Sequence, residues 1–130
     1  NIMDYCHILV DQYRIIDGIV FYGAPWVPNL PNWAFYLPDD ELKQKWDNIY
    51  GMDVLITHGP PAGIGDNGYG SKSLLEAIKE IKPKYHIYGH VHEGYGKYQT
   101  GDTMCYNTSI CDLYYYPVNK PFIINYNANI

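Results

Sequence analysis

The sequence predicts an α/β protein, because apolar runs of strand length alternate with helix-like stretches. Two such runs, at 53–57 and 85–89, flank a helix-like stretch at 71–82. A strand, a helix and a strand in this order normally form a right-handed crossover with parallel strands. The carboxyl ends of both strands then open at the same edge of the sheet, where open α/β folds place their ligands.

The N-terminal residues predict a small antiparallel edge to this sheet. Alternating apolar residues indicate short strands at 6–10 and 12–16. Asp17-Gly18 is a turn signal, and the next apolar run, 19–22, follows it at once. A hairpin is therefore expected at this turn.

Residues 23–38 are rich in Pro, Trp and Asn, and they predict a loop without regular structure. Two interpretations of this loop remain open. It packs on the surface, which is the commoner outcome, or it covers one side of a site as a lid that carries Trp26 and Trp33.

The other elements follow from end signals. Acidic residues at 39–41 predict the start of a helix whose inner face includes Leu42 and Trp46. A hairpin through 100–102 and a final strand near 122–125 complete the predicted sheet.

The glycine-rich stretch 59–70 predicts a flexible loop beside the ends of the strands. It contains five glycines, but their spacing matches no nucleotide-binding fingerprint. Ser71 or Ser73 is the expected N-cap of the helix that follows, and Pro83 lies just beyond its end.

Three histidines lie where the two predicted parallel strands end. His58 closes the first strand, and His90 and His92 follow the second. Positions i and i+2 of a strand point to the same face, so His90 and His92 are expected to reach one site together with His58. Three imidazoles at one sheet edge indicate a metal site. His7 and His86 have no such partners in the sequence, and we expect them to support the core.

The chain resembles the C-terminal half of a calcineurin-like metallophosphoesterase, and in particular the animal-type metallophosphoesterase-domain-containing proteins. Thr-His-Gly-Pro-Pro and, about thirty residues later, Gly-His-x-His carry most of the resemblance. The matching segments occur in order along nearly the whole chain: 22–26, 55–61, 83–96, and 106–107 through 117–119.

The resemblance implies a two-metal phosphoesterase that hydrolyses a small phosphodiester such as a cyclic nucleotide. In this interpretation His58 and His90 ligate one cation and His92 ligates the other. The expected cofactors are two divalent ions, with manganese as the working metal and iron, zinc or magnesium as alternatives. Some relatives carry Gly at the position of His90 and are weak enzymes, so His at this position favours activity.

The resemblance also implies that residues 1–130 are the C-terminal part of a single four-layer α/β/β/α sandwich. The family's Asp-x-His, Gly-Asp-x-x-Asp and Gly-Asn-His motifs, which supply the remaining ligands and a bridging carboxylate, do not occur in the sequence. Without that bridge, two divalent ions about 3.7 Å apart repel by roughly 18 kcal/mol at an effective dielectric near 20. We therefore expect the chain alone to be inactive and to need an N-terminal half, in the same or in a separate chain.

Two alternatives stay open. The chain is a non-catalytic scaffold that retains the phosphoesterase fold, or it is a mononuclear metal-binding module. The module requires a fourth ligand, which only Asp66 or Glu93 offers in the sequence near the histidines.

Composition narrows the set of partners. The chain has 9 Lys and Arg and 14 Asp and Glu, a formal net charge of −5, so we expect no nucleic-acid polymer as a partner. It lacks a run of about 18 apolar residues, so we expect no membrane partner. Its scattered cysteines, Cys6, Cys105 and Cys111, predict reduced thiols and a cytoplasmic location. The expected small-molecule partner is a phosphate ester.

Overall fold

Six strands form one mixed sheet in the computed structural model of the chain, which describes residues 1–127. In chain order the strands are β1 (Gln12–Ile16), β2 (Ile19–Ala24), β3 (Val54–Thr57), β4 (Tyr85–Tyr88), β5 (Gly96–Thr100) and β6 (Thr103–Asn107). Across the sheet the order is β1, β2, β3, β4, β6, β5. The four inner strands are parallel, and the two edge strands pair antiparallel with their neighbours. The predicted α/β class is confirmed.

The predicted hairpin between β1 and β2 forms at Asp17-Gly18. Both residues have positive φ, 52° and 79°, as a tight two-residue hairpin turn requires. The strand predicted at 6–10 does not form, because Leu9 instead lays its side chain over the backbone of Gly23 on β2. The chain there is held by packing and not by strand pairing.

The prediction of a strand at 122–125 is also wrong, because these residues form no strand. The ring of Phe122 stacks on Tyr95 at 4.9 Å and meets Tyr106 edge to face at 5.2 Å. Ring contacts therefore hold this segment against the sheet, and an apolar run alone does not distinguish that from a strand. The hairpin predicted through 100–102 does form, between β5 and β6.

Two helices cover one face of the sheet, α1 (Asp39–Trp46) and α2 (Lys72–Ile81). Of the two predicted caps, Ser71 is the N-cap of α2, and its hydroxyl accepts from the Leu74 N–H at 3.0 Å. Leu42 and Trp46 are buried, as the helical spacing predicted. None of the helices within residues 1–127 has the length and the hydrophobicity needed to cross a bilayer.

The hydrophobic core lies between this face of the sheet and the two helices. Tyr22, Leu55 and Cys105 share that face through the strand register, and they pack with side chains of both helices. The opposite face is less well covered. Ile56 and Ile87 on that face remain half exposed, next to the carboxyl ends of β3 and β4.

Candidate metal site

The structure brings His58 and His90 together at the carboxyl edge of the sheet. β3 and β4 run side by side, and the Gly89 N–H donates to the His58 carbonyl at 3.0 Å just beyond their ends. This bond extends the pairing of the two strands and sets the two imidazole rings next to each other. Their ring centroids are 4.8 Å apart.

His90 does not lie on a strand. The prediction that strand alternation places His90 and His92 on one face is therefore wrong. β4 ends at Tyr88, and His90 has a left-handed backbone with φ of 67°. His92 begins a single turn of 3-10 helix, His92–Gly94. The turn between them, and not a strand, brings both histidines to one hollow of about 310 Å³ that His58 also lines.

The orientation of His92 is held from outside the strand ends. Its Nδ1 lies 2.8 Å from the carbonyl oxygen of Asp112, which can only accept a hydrogen bond. Nδ1 therefore carries a proton, and in the neutral ring the lone pair is on Nε2. A metal-ligating histidine usually donates its other ring N–H to a partner such as a backbone carbonyl, and His92 does so here. The Tyr115 ring packs edge-on against His92 at 5.4 Å.

Partial enclosure favours the neutral form of the two adjacent imidazoles. Burial lowers the pKa of His58, although its ring remains accessible to solvent. Burial is also the main cause that lowers the pKa of His90, and the neighbouring His58 and His92 lower it further. Metal ligation requires neutral imidazole, so the lowered pKa values favour the form of His58 and His90 that can bind a metal near neutral pH.

Asn107 ties the glycine-rich loop to the histidine turn. Its buried side-chain amide donates to the carbonyls of Gly65, at 2.9 Å, and Val91, at 2.8 Å. The two loops also touch at Gly94, where a Cβ would stand 1.9 Å from the Gly65 carbonyl oxygen. The glycine loop predicted as a flexible wall is therefore clamped to the turn that carries His90 and His92.

The remaining histidines differ from each other. His86 is fully buried on the helix-covered face, in agreement with the prediction of a supporting role. His7 was also expected to support the core, but its side chain is exposed. It lines a hollow next to His58.

The donor set fits part of a metal centre. His58 and His90 form an adjacent pair with neutral-favouring surroundings, and His92 presents a free Nε2 nearby. Within residues 1–127 no group of three or more His, Cys, Asp or Glu side chains stands ready to hold one ion. Among the described residues the histidines therefore do not form a closed metal site by themselves.

The mononuclear alternative loses its fourth ligand in the structure. One carboxylate oxygen of Asp66 accepts from the backbone N–H groups of Gly63 and Gly70, so this side chain stabilises its own loop. The Glu93 carboxylate accepts from the Asn67 side-chain amide. Neither carboxylate joins the histidines in a metal-holding group among the described residues.

The sequence left open whether the 23–38 loop packs on the surface or covers one side of the site with Trp26 and Trp33. Trp33 and Phe35 line a hollow together with His58 and His90, whereas Trp26 is not among its lining residues. The indole N–H of Trp26 instead donates to the Asp11 carboxylate at 2.8 Å. The contact between Trp26 and Asp11 joins residues 15 positions apart, and no local pattern predicts it.

The sheet, the helices on one of its faces and the histidines at its carboxyl edge define an α/β domain with a candidate site at the sheet edge, and comparisons with known proteins support this fold. A solved crystal structure aligns with a TM-score of 0.63 at 20% identity, over 79% of this chain and 46% of the other, and it supports the fold alone. No family model matches the chain.

The sequence relatives identify the family more closely. "Metallophosphoesterase domain-containing protein 1" of Homo sapiens is 38% identical over 134 residues, which cover 96% of this chain and 41% of the relative. A UPF0046 protein of Caenorhabditis elegans is 44% identical over 125 residues, which cover 90% of this chain and 32% of the relative. The chain belongs to the metallophosphoesterase family, in its animal-type branch. It spans less than half the length of these relatives.

Proposed function

We propose that the complete protein is a metal-dependent phosphoesterase that hydrolyses a small phosphodiester such as a cyclic nucleotide. This chain contributes His58, His90 and His92 to the site. The observation that carries the proposal is the His58–His90 ring pair, with centroids 4.8 Å apart at the carboxyl edge of a parallel sheet. Such an edge is where open α/β folds bind ligands, and the relatives' names supply the phosphoesterase class.

The cofactors in this proposal are two divalent ions, with manganese as the working metal and iron, zinc or magnesium as alternatives. His58 and His90 would hold one ion, and His92 would ligate the other through Nε2. Two such ions supply a hydroxide nucleophile and neutralise charge on the phosphoryl oxygens. Imidazole nitrogen suits these transition metals better than it suits magnesium.

The residues of this chain orient the ligands and keep them in the right protonation state. The Asp112 carbonyl accepts from Nδ1 of His92 and so orients the ring and selects the tautomer in which Nε2 would be the ligand. Lowered pKa values hold the His58 and His90 rings neutral near pH 7. Asn107 keeps the turn between His90 and His92 in one conformation through its bond to Val91.

The second half of the site is proposed to come from an N-terminal half of the same domain, in the same or in a separate chain. Its sheet would pack on the less covered face, where Ile56 and Ile87 are half exposed. The carboxylates that complete the two-metal site would come with it, so the chain alone is proposed to be inactive.

The free cysteines, Cys6, Cys105 and Cys111, support a reducing, cytoplasmic location.

The test is diesterase activity of the complete protein after chelation and reconstitution. Bis(4-nitrophenyl) phosphate and a cyclic nucleotide serve as substrates. We expect chelation to abolish turnover and manganese to restore it, and His58→Ala to lower the restored rate by about 100-fold or more while the unfolding midpoint stays close to that of the wild type. Tyr50→Ala is the control, because Tyr50 is 79% exposed and precedes β3, whereas His58 follows it; the restored rate should not change.

The same experiment distinguishes the enzyme from the scaffold alternative. A protein that binds manganese in proportion to intact His58 and His90 but turns over neither ester would be a scaffold. Turnover that survives both chelation and His58→Ala would reject the ligand assignment itself.

A further inference from the structure

A second hollow adjoins the histidine pair, and its walls are apolar. It has a volume of about 330 Å³ and is lined by Val27, Leu30, Trp33 and Phe35 with His58 and His90. Pro25 and Ala34 complete the lining, so among the described residues around it only the two histidines carry titratable side chains. Pockets of this size suit a small organic group and exclude a polymer.

The apolar wall leaves aromatic surface exposed beside the site. Trp33 is 68% exposed and Phe35 is 45% exposed. Large aromatic side chains bury much area when they can, and rings left open beside polar groups commonly mark a place where a ligand binds.

The loop that carries these rings is held in place, so the hollow is built before any ligand arrives. Val27 is buried, its N–H donates to the Phe35 carbonyl at 3.0 Å, and its carbonyl accepts from the Leu37 N–H at 3.1 Å. The Trp33 N–H donates to the Leu30 carbonyl at 3.2 Å, which closes the tip of the loop.

A charged cluster fastens the base of the same loop to the body of the protein. The Asp11 carboxylate accepts from the Trp26 indole at 2.8 Å and from Lys45 of α1 at 3.2 Å. The Lys45 ammonium also lies 4.4 Å from the centre of the Trp26 ring, and that ring meets Phe35 edge to face at 5.6 Å. These contacts connect Phe35, one wall of the hollow, to a helix.

Part of the loop is strained. Leu30 and Phe35 have left-handed backbones, with φ of 69° and 62°. This conformation costs about 1–2 kcal/mol for a residue with a side chain, and such strain concentrates at functional sites. Both strained residues line the hollow.

We propose that this hollow, which we call the aryl subsite, binds the aromatic group of the phosphate ester, with its ring against Trp33 and Phe35. The phosphate then lies towards His58 and His90, which line the same hollow. This inference rests on the proposed phosphoesterase function and names its substrate class: phosphate esters with a flat aromatic organic part, as opposed to alkyl esters.

The test compares the binding of three probes to the manganese-loaded complete protein by calorimetry: phenyl phosphate, methyl phosphate and inorganic phosphate. Stacking on an aromatic side chain is worth roughly 5- to 150-fold in affinity by alanine substitution. We expect phenyl phosphate to bind about 10-fold or more tightly than methyl phosphate in the wild type. In Trp33→Ala that advantage should fall to about 2-fold or less, while the affinity for inorganic phosphate stays unchanged.

Two control variants make the comparison specific. Trp33→Phe keeps a ring at the position and should retain most of the preference. Tyr50→Ala removes another exposed aromatic side chain, 79% exposed, which precedes β3 whereas His58 follows it, and it should change none of the three affinities. Because Trp33 projects into solvent, its replacement should leave the unfolding midpoint near that of the wild type.

Failure of the subsite and failure of the proposed function give different results. If all three probes bind with equal affinity, or if Trp33→Ala keeps the full preference, the aryl subsite is rejected while the phosphoesterase stands. If the preference depends on Trp33 but no ester is turned over, the subsite is supported and the enzymatic function is rejected. If none of the probes binds although the diesters of the activity assay are turned over, only the aryl subsite is rejected; if there is neither binding nor turnover, both are rejected.

Discussion

The Thr57 hydroxyl and Nε2 of His86 lie 2.9 Å apart under the histidine-lined edge, and their protons can be assigned from geometry alone. The single hydroxyl proton of Thr57 is donated to the Gly59 carbonyl at 2.7 Å. Thr57 must therefore accept from His86, which places the imidazole proton on Nε2. His86 thus supports, through Thr57, the two residues that flank His58.

His86 should make the stability of the protein depend on pH. Burial lowers its pKa from 6.5 to about 3, so the folded protein leaves it neutral while the unfolded chain protonates it. Its contribution to stability is complete above about pH 6.5 and is lost as pH falls towards about 3. Between about pH 6 and 5 we expect this residue alone to lower the unfolding free energy by about 1 kcal/mol.

His86→Gln tests this dependence by denaturant unfolding of the complete protein at both pH values. The variant should lose about 1 kcal/mol less than the wild type over the interval. His58 and His90, whose pKa values are also lowered by burial, should leave part of the slope. Cys105→Ala is the control. Cys105 on β6 is buried and pairs with His86 on β4, and its replacement should lower the unfolding free energy equally at both pH values. Equal slopes in wild type and His86→Gln would refute the prediction.

His90→Gly should separate the fold from the chemistry. The left-handed backbone of His90 favours glycine, so this variant should be about 1 kcal/mol more stable than His90→Ala. Both variants remove a proposed ligand and should lower manganese-dependent diester turnover by about 100-fold or more. Paired denaturant curves and initial rates check both parts. Wild-type turnover in His90→Gly would show that the imidazole is no ligand.

Asn107→Asp should loosen the clamp between the glycine loop and the histidine turn. The substitution replaces the NH₂ group that donates to the Gly65 and Val91 carbonyls with a carboxylate oxygen, which can only accept. Burying an acceptor against two acceptors should cost about 3 kcal/mol in unfolding free energy. The control is Asn119→Asp, a half-buried amide with one bond, to the Ser109 carbonyl, for which we expect about 1 kcal/mol or less. Comparable losses in the two variants would contradict the clamp.

Gly94→Ala should force the same two loops apart by its size alone. The added methyl group would meet the Gly65 carbonyl oxygen at 1.9 Å, which is backbone and has little room to shift. Gly89→Ala is the matched change near His90, where the methyl group would lie 3.4 Å from the Ser109 hydroxyl. We expect losses of about 2–3 kcal/mol at Gly94 and below about 1 kcal/mol at Gly89, measured by denaturant unfolding. A smaller loss at Gly94 than at Gly89 would contradict this account.

The predictions from sequence succeeded where a signal is local. The hairpin at Asp17-Gly18, the cap at Ser71 and the buried pair on α1 all depend on residues within a few positions of each other. The strands predicted at 6–10 and 122–125 failed, because Leu9 and Phe122 use apolar side chains to cover the sheet without pairing with it. An apolar segment is therefore not necessarily a paired or buried one: Ile8, Val10 and Ile123 are 44%, 41% and 88% exposed.

The α/β class and the convergence of His58 and His90 could be predicted from the order of apolar runs alone, since a β-α-β order sends both strand ends to one edge. The tertiary structure was needed to show the Asp112 carbonyl behind His92 and the Asn107 clamp. It also decided that Trp33, and not Trp26, faces the histidines. Those features join residues up to 42 positions apart by single contacts, and single contacts leave no periodic trace in a sequence.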